Sequence, residues 1–248
     1  DRVQQAAYSM IPESNKKQLH LSIGRLMLRF ISKESISDLL FDVVEHLNQG
    51  RTLISDQEEK KDLALLNLEA GIKAKASSAY ASALQYLQIS VDLLDAKTWE
   101  NDYELMWSVG EEIQSCYYLT GDQENAEEWS DLMLSHAKTQ MQKGLVLATR
   151  TRQYATTGRM QESIQAAYQG LEILGYHFAK NPSQEDLEQE IANVEINRAG
   201  REVASLINQP EMTDERAKIA SQLLMEIFAA AFLSGTGRTF PYLVLKSV

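Results

Sequence analysis

The chain has 248 residues, 44% hydrophobic and 24% charged, enough apolar material for a sizeable core in one or two compact domains. A net charge of -11 and a pI near 4.9 repel phosphate backbones and anionic lipid, so nucleic acid and membrane are set aside as partners. A single cysteine excludes an intramolecular disulfide and fits a cytoplasmic, reducing compartment, and LLMEIFAAAFL, interrupted by Glu226, is far shorter than the roughly 20 residues of a membrane span.

In chain order, VQQAAYSM before Pro12 reads as the end of a helix. LHLSIGRLMLRF then predicts a helix with Leu19, Ile23, Leu26 and Phe30 on its inner face and Gly24 where a neighbour comes close. ISDLLFDVVEHLN completes a hairpin through Ile36, Leu40, Val43 and Leu47, closed by Gly50. Ser55 and Glu58 have the spacing of a capping box for the next helix. That helix carries Leu63, Leu66, Ala70 and Ala74 on one stripe and Leu65, Leu68 and Ile72 on another, so it needs neighbours on two sides. Gly71, costly in a helix interior, makes sense where a second helix touches backbone. Tyr80, Ala83, Leu84, Leu87 and Val91 supply that second helix.

Two more hairpins are predicted. One runs from about Trp99 to Leu119 and from Asp122 to His136, with Gly121 as C-cap and Asp122 as N-cap; the other runs from about Gly144 to Thr156 and from Gly158 to Leu174. Ala83, Ala126 and Ser163 fall in one small-residue slot, 43 and 37 residues apart, against about 34 in a standard tetratricopeptide unit. GYHFAKNPSQ reads as a linker, followed by a polar helix from Ser183 to about Leu206 and an apolar one from Thr213 to Leu233. The expected fold is all-α: a superhelical array of antiparallel helical hairpins, tetratricopeptide-like with degenerate repeats. It is one module over 1–248, with regular hairpins over 1–175 and less regular helices over 176–248.

Chemistry is scarce. GTGR near Gly235 lacks the preceding strand and the lysine of a phosphate loop. His20, His46, His136 and His177 are scattered without metal-ligand spacing, and no nucleophile–base set suggests itself, so no catalytic, cofactor or metal residue is expected. Arg150, Arg152 and Arg159 make a local basic spot, and Trp99, Trp107 and Trp129 read as core. The fragment is therefore expected neither to bind nucleotide nor to act as an enzyme.

VQQAAYSMIPESNKKQLHLSIGRLML, FDVVEHLNQG, LALLNLEAGIKAKASSAYASALQYL and WENDYEL, in this order, resemble the helical tetratricopeptide-like region of large multidomain bacterial signalling kinases that carry a STAND-type, AAA-like ATPase. In that family the helical region follows the nucleotide-binding domain, often between a serine/threonine-kinase-like domain and GAF and histidine-kinase domains. The resemblance implies a regulatory, non-catalytic interaction module of a sensor kinase, excised from a longer chain that is itself a kinase or ATPase. Its partners would be the neighbouring ATPase and sensor domains of the same polypeptide. The alternative is an independent adaptor that captures short peptide motifs.

If the first helices of the hairpins line a concave side, Leu65, Leu68, Ile72 and Lys75 lie there in the central repeat, Glu111, Ser115 and Tyr118 in the next, and Arg152 in the third. The apolar helix near the C-terminus, with Ile219, Leu223, Leu224, Ile227, Phe228 and Phe232 on more than one face, is expected to pack on PYLVLKSV or on another copy of itself.

Overall fold

The computed structural model describes residues 8–30, 33–208, 210–235 and 237–247. Among these there are twelve α-helices and no strand. They fall into two compact units, divided between Trp129 and Ser130.

The first unit begins with α1 (Glu13–Phe30) and α2 (Lys33–Gly50), then a 3-10 turn, Arg51–Leu53. The inner face of α1 differs from the sequence reading. Leu21 and Gly24 are buried, whereas Leu19, Leu26 and Phe30 are exposed. The reason is Gly24: a Cβ there would stand 2.6 Å from Leu47 Cδ2, so α2 lies over the glycine side of α1 and the leucine stripe is turned away. Leu40, Val43 and Leu47 of α2 are buried as expected, while the side chain of Ile36 lies outside the described residues.

Helix α3 (Gln57–Ala76) starts one residue later than the Ser55–Glu58 reading implies: Asp56 is the N-cap and accepts the Glu59 backbone N–H at 3.1 Å. It pairs with α4 (Tyr80–Leu93) through the predicted contact, since a Cβ on Gly71 would meet Leu87 Cγ at 2.7 Å and the Ala83 carbonyl oxygen at 3.4 Å. The next predicted helix is broken in two, α5 (Thr98–Asn101) and α6 (Tyr103–Leu119). Asp102 sits at the break in a non-helical conformation, and its carboxylate forms an ion pair with Lys61 of α3. Helix α7 (Gln123–His136) runs through the division between the units.

The turns after α3 and α6, and after α8 (Gln140–Thr156), share one geometry. Each helix ends on a residue with positive φ: Ser78 at 61°, Gly121 at 84° and Gly158 at 81°. In each, the N–H one residue further donates back to a carbonyl five residues earlier: Ala79 to Ala74 at 2.9 Å, Asp122 to Tyr117 at 2.9 Å and Arg159 to Tyr154 at 2.8 Å. Four residues on from each of these donors the small-residue slot recurs, and Ala83, Ala126 and Ser163 are all buried. Ser163 is satisfied there by donating to the Thr151 carbonyl at 2.9 Å.

In the second unit α8 begins at Gln140, four residues before Gly144, with Thr139 as its N-cap in a capping box with Gln142. It pairs with α9 (Met160–Ile173). The predicted polar helix is shorter than expected. α10 (Gln184–Arg198) stops at Ala199 in the left-handed conformation, and Val203–Asn208 forms a 3-10 turn. α11 (Glu215–Leu233), capped by Asp214, packs on both α8 and α9. Ile219, Leu223, Leu224 and Ile227 go into one core with Ala148, Ala167 and Leu171. α12 (Thr239–Lys246) packs on α11: Tyr242 and Leu243, from the PYLVLKSV stretch expected there, join its core, and Phe240 just before that stretch lies edge-on to Phe228 and Phe232. The linker before α10 is tied down at Ala179, whose carbonyl accepts from Tyr168 at 3.0 Å and whose N–H donates to Tyr242 at 3.2 Å. Burial among these groups pushes the Tyr168 hydroxyl up to about 12.

Candidate protein-interaction surface

The residues proposed from sequence for a working surface are brought together in part. Leu65 and Ile72 stand one above the other on α3, two helical turns apart, and are 39% and 42% exposed. Leu68, on the same sequence stripe, points elsewhere: it is buried with Leu105, Val109 and Ile113 of α6. The α3 stripe is therefore split, one leucine for the core and two side chains for solvent. Lys75, at the C-terminal end of α3, forms an ion pair with Glu112 of α6. Glu111 is exposed, yet its carboxyl tip is crowded: desolvation raises its pKa, opposed by a hydrogen bond from Trp107, assisted by Glu112 and opposed again by Lys75. Ser115 and Tyr118 follow on α6, both half-buried, with Tyr118 against the cluster that holds Leu68.

Arg152 belongs to the second unit, where it meets Glu226 of α11 at 2.6 Å. The neighbouring arginines are also engaged, Arg150 with Asp131 at 2.6 Å and Arg159 with Glu162 at 3.1 Å. The basic spot of the sequence is thus a set of internal ion pairs. The three tryptophans pack inward. Trp99 and Trp107 are buried on either side of Tyr103, with ring centroids 6.0 and 5.8 Å from it, and Trp129 packs on the α3–α4–α6 core. Cys116 is fully buried, and its thiol is pushed up to about 11 by that burial, which makes it a packing residue and a poor nucleophile.

Two polar arrangements escaped the sequence reading. His20 and His46, 26 residues apart, meet at 2.7 Å between their Nδ1 atoms, and His20 Nε2 meets the Tyr8 hydroxyl at 2.7 Å. One Nδ1 has to donate and the other accept, so the chain holds together with no charge or with one, but not with two. Burial, then His46, lowers the pKa of His20, while Glu45 opposes them. The second is a buried pair of amides. Asn48 of α2 donates to Asn67 Oδ1 at 2.8 Å, Asn67 of α3 donates back at 2.9 Å, and Asn67 also donates to the Leu63 carbonyl at 2.8 Å. Helical register gives no signal for either: the period misassigns the face of α1, and Asn48 and Asn67 each lie one residue, about 100° round the helix, from a buried leucine.

Among the described residues no helix is long and apolar enough to cross a membrane, and no group of three or more His, Cys, Asp or Glu side chains is placed to hold a metal. No protein-family model matches the chain, and no solved structure matches it. It is similar to the hybrid signal transduction histidine kinase G of Dictyostelium discoideum, 27% identical over 233 residues that take in 84% of this chain. The match spans 7% of that much longer protein.

Proposed function

We propose that the chain is a regulatory, protein-interaction module of a signalling kinase, without catalytic residues of its own. The similarity to a hybrid signal transduction histidine kinase carries this reading, because it extends along most of the chain. The all-helical architecture, with its turn-and-slot unit occurring three times, agrees with the tetratricopeptide-like region of STAND-type kinases. In this reading the module couples an adjacent ATPase domain to kinase output, and Leu65 and Ile72 form the apolar centre of the contact. Lys75, Glu111, Ser115 and Tyr118 are its rim. Exposed apolar side chains beside a partly desolvated ion pair are suited to an amphipathic helix of the neighbouring domain. Arg152 would serve through the second unit, by exchanging Glu226 for an acid of a partner.

The test is Leu65→Asp with Ile72→Asp in the complete kinase that carries this chain. Each residue is only about two-fifths exposed, so a folding cost of about 1–3 kcal/mol is expected and circular dichroism checks that the variant remains folded. Autophosphorylation should lose its dependence on the ATPase domain. Full coupling in a folded double variant would overturn the assignment.

A further inference from the structure

Beyond Gln57, every exposed residue of α3 lies on one stripe. Glu58, Asp62, Leu65, Glu69, Ile72 and Ala76 follow at intervals of three or four and fall within about 80° of the helix circumference. α6 runs beside α3 in the same direction, since Lys61 pairs with Asp102 at its start and Lys75 with Glu112 further along. α6 contains no lysine or arginine. Its Glu104 and Glu111, two turns apart and exposed, are turned by the helical period to the same side of this seam as Leu65 and Ile72. Asp62 and Glu69 lie on the other flank of the apolar pair, away from α6. Carboxylates therefore border Leu65 and Ile72 on both sides. The cations of the seam are spent: Lys61 stands near Glu58 and Asp62 but holds Asp102, and Lys75 holds Glu112. Lys73, at the far edge of the stripe, rests over the Phe41 ring of α2. Among the described residues no ion pair engages Glu58, Asp62, Glu69, Glu104 or Glu111.

From this charge pattern we infer that the α3–α6 surface takes a basic amphipathic helix of its partner. The inference rests on the contact surface proposed above and adds its sign. The docking helix carries apolar side chains two turns apart, about 10 Å along its axis, to meet Leu65 and Ile72. Lysine or arginine on one flank reaches Asp62 and Glu69, and on the other Glu104 and Glu111. An acidic helix or an anionic lipid surface would meet like charge on both flanks. An uncharged apolar helix would strip water from these carboxylates with nothing to replace it.

The experiment measures fluorescence anisotropy of two labelled synthetic helices, one of leucine and lysine and one of leucine and glutamate, titrated with the 248-residue chain. Both have leucines at helical period. The leucine–lysine helix should bind, more weakly as salt is added, and the leucine–glutamate helix should not. Asp62→Lys with Glu69→Lys should weaken binding about tenfold or more. Glu188→Lys with Glu195→Lys on α10 makes the same change of charge elsewhere and should leave the Kd within about twofold. Circular dichroism checks that each variant remains helical. Equal weakening by the α3 and α10 reversals would mean that overall charge alone is felt, and overturns the inference, as does equal binding of the two helices or no binding of either. The complete kinase separates this inference from the functional reading. If Leu65→Asp with Ile72→Asp abolishes coupling while the leucine–lysine helix does not bind, the functional reading stands and the basic partner falls. If coupling is intact while the helix binds and only the α3 reversal releases it, the basic site stands and the functional reading falls.

Discussion

The pairs α3–α4 and α9–α11 use one device and supply it differently. In the first unit Gly71 opens a gap that Leu87 fills from the next helix, 16 residues on. In the second, Gly170 of α9 opens a gap filled by Leu223 of α11, 53 residues on, with Leu147 beside it. A Cβ at either glycine would fall under 3 Å from the leucine side chain, so both contacts are equally close. The first unit therefore grows by packing each helix on its successors. The second is completed by a helix recruited across a linker and a polar helix, a contact whose loop-closure cost is higher by only about 1 kcal/mol. Close approach at glycine belongs to the pair of surfaces, whichever part of the chain delivers the second one.

The strongest way to probe this likeness is to empty the two gaps. Leu87→Ala and Leu223→Ala each remove a fully buried leucine and should each cost about 3 kcal/mol in denaturant unfolding, similar in both units despite the difference in sequence separation. A cost below about 1 kcal/mol at Leu223 would show that α11 merely rests on the second unit. The turns sharpen the comparison at a smaller scale. Ser78 adopts the left-handed conformation that Gly121 and Gly158 adopt at the matching turns, and nothing lies within 4 Å of where a Cβ would stand on those glycines. Ser78→Gly should therefore stabilise the chain by about 1 kcal/mol, and Gly121→Ser should destabilise it by a similar amount, both read as shifts in thermal midpoint.

The smallest effect concerns pH and belongs to the first unit. Burial and His46 lower the pKa of His20 in the folded chain, so the unfolded chain takes up that proton first. Stability from this site is full above the ordinary imidazole value of about 6.5 and is lost as pH falls through it. The difference in unfolding free energy between about pH 7.5 and about pH 5.5 should shrink in a His20→Phe variant, relative to the unaltered chain. An unchanged difference would mean that His20 titrates alike folded and unfolded.

The helices, the turns at Gly121 and Gly158 and the inner residues of α2, α3 and α4 were legible because each rests on local rules: apolar period, a glycine after the last turn, a small residue five further on. What stayed hidden depends on facing partners. The α1 stripe of Leu19, Leu26 and Phe30 satisfies the period as well as the true inner face does, and only the fit of Leu47 over Gly24 chooses between them. The break at Asp102 could not be foreseen either, since its ion pair with Lys61 exists only once α3 lies beside it. For the candidate surface, the sequence grouped Leu65, Leu68 and Ile72 on one stripe. It had no means of telling that Leu68 turns into the α6 core while its neighbours remain in water.

The paired amides of Asn48 and Asn67 act as a detent. A purely leucine-lined contact between α2 and α3 would let one helix slide past the other with little change in buried area. A slip of one turn, about 5.4 Å, would carry the two amides out of reach and strand the Asn48 amide and the Asn67 carbonyl oxygen, at roughly 1–3 kcal/mol for each stranded group, while Asn67 keeps its bond to the Leu63 carbonyl. Between α2 and α3 sliding is notched. A push delivered to α2 along its axis would therefore pass to α3 undiminished, as a displacement shared by two helices locked at a single tooth.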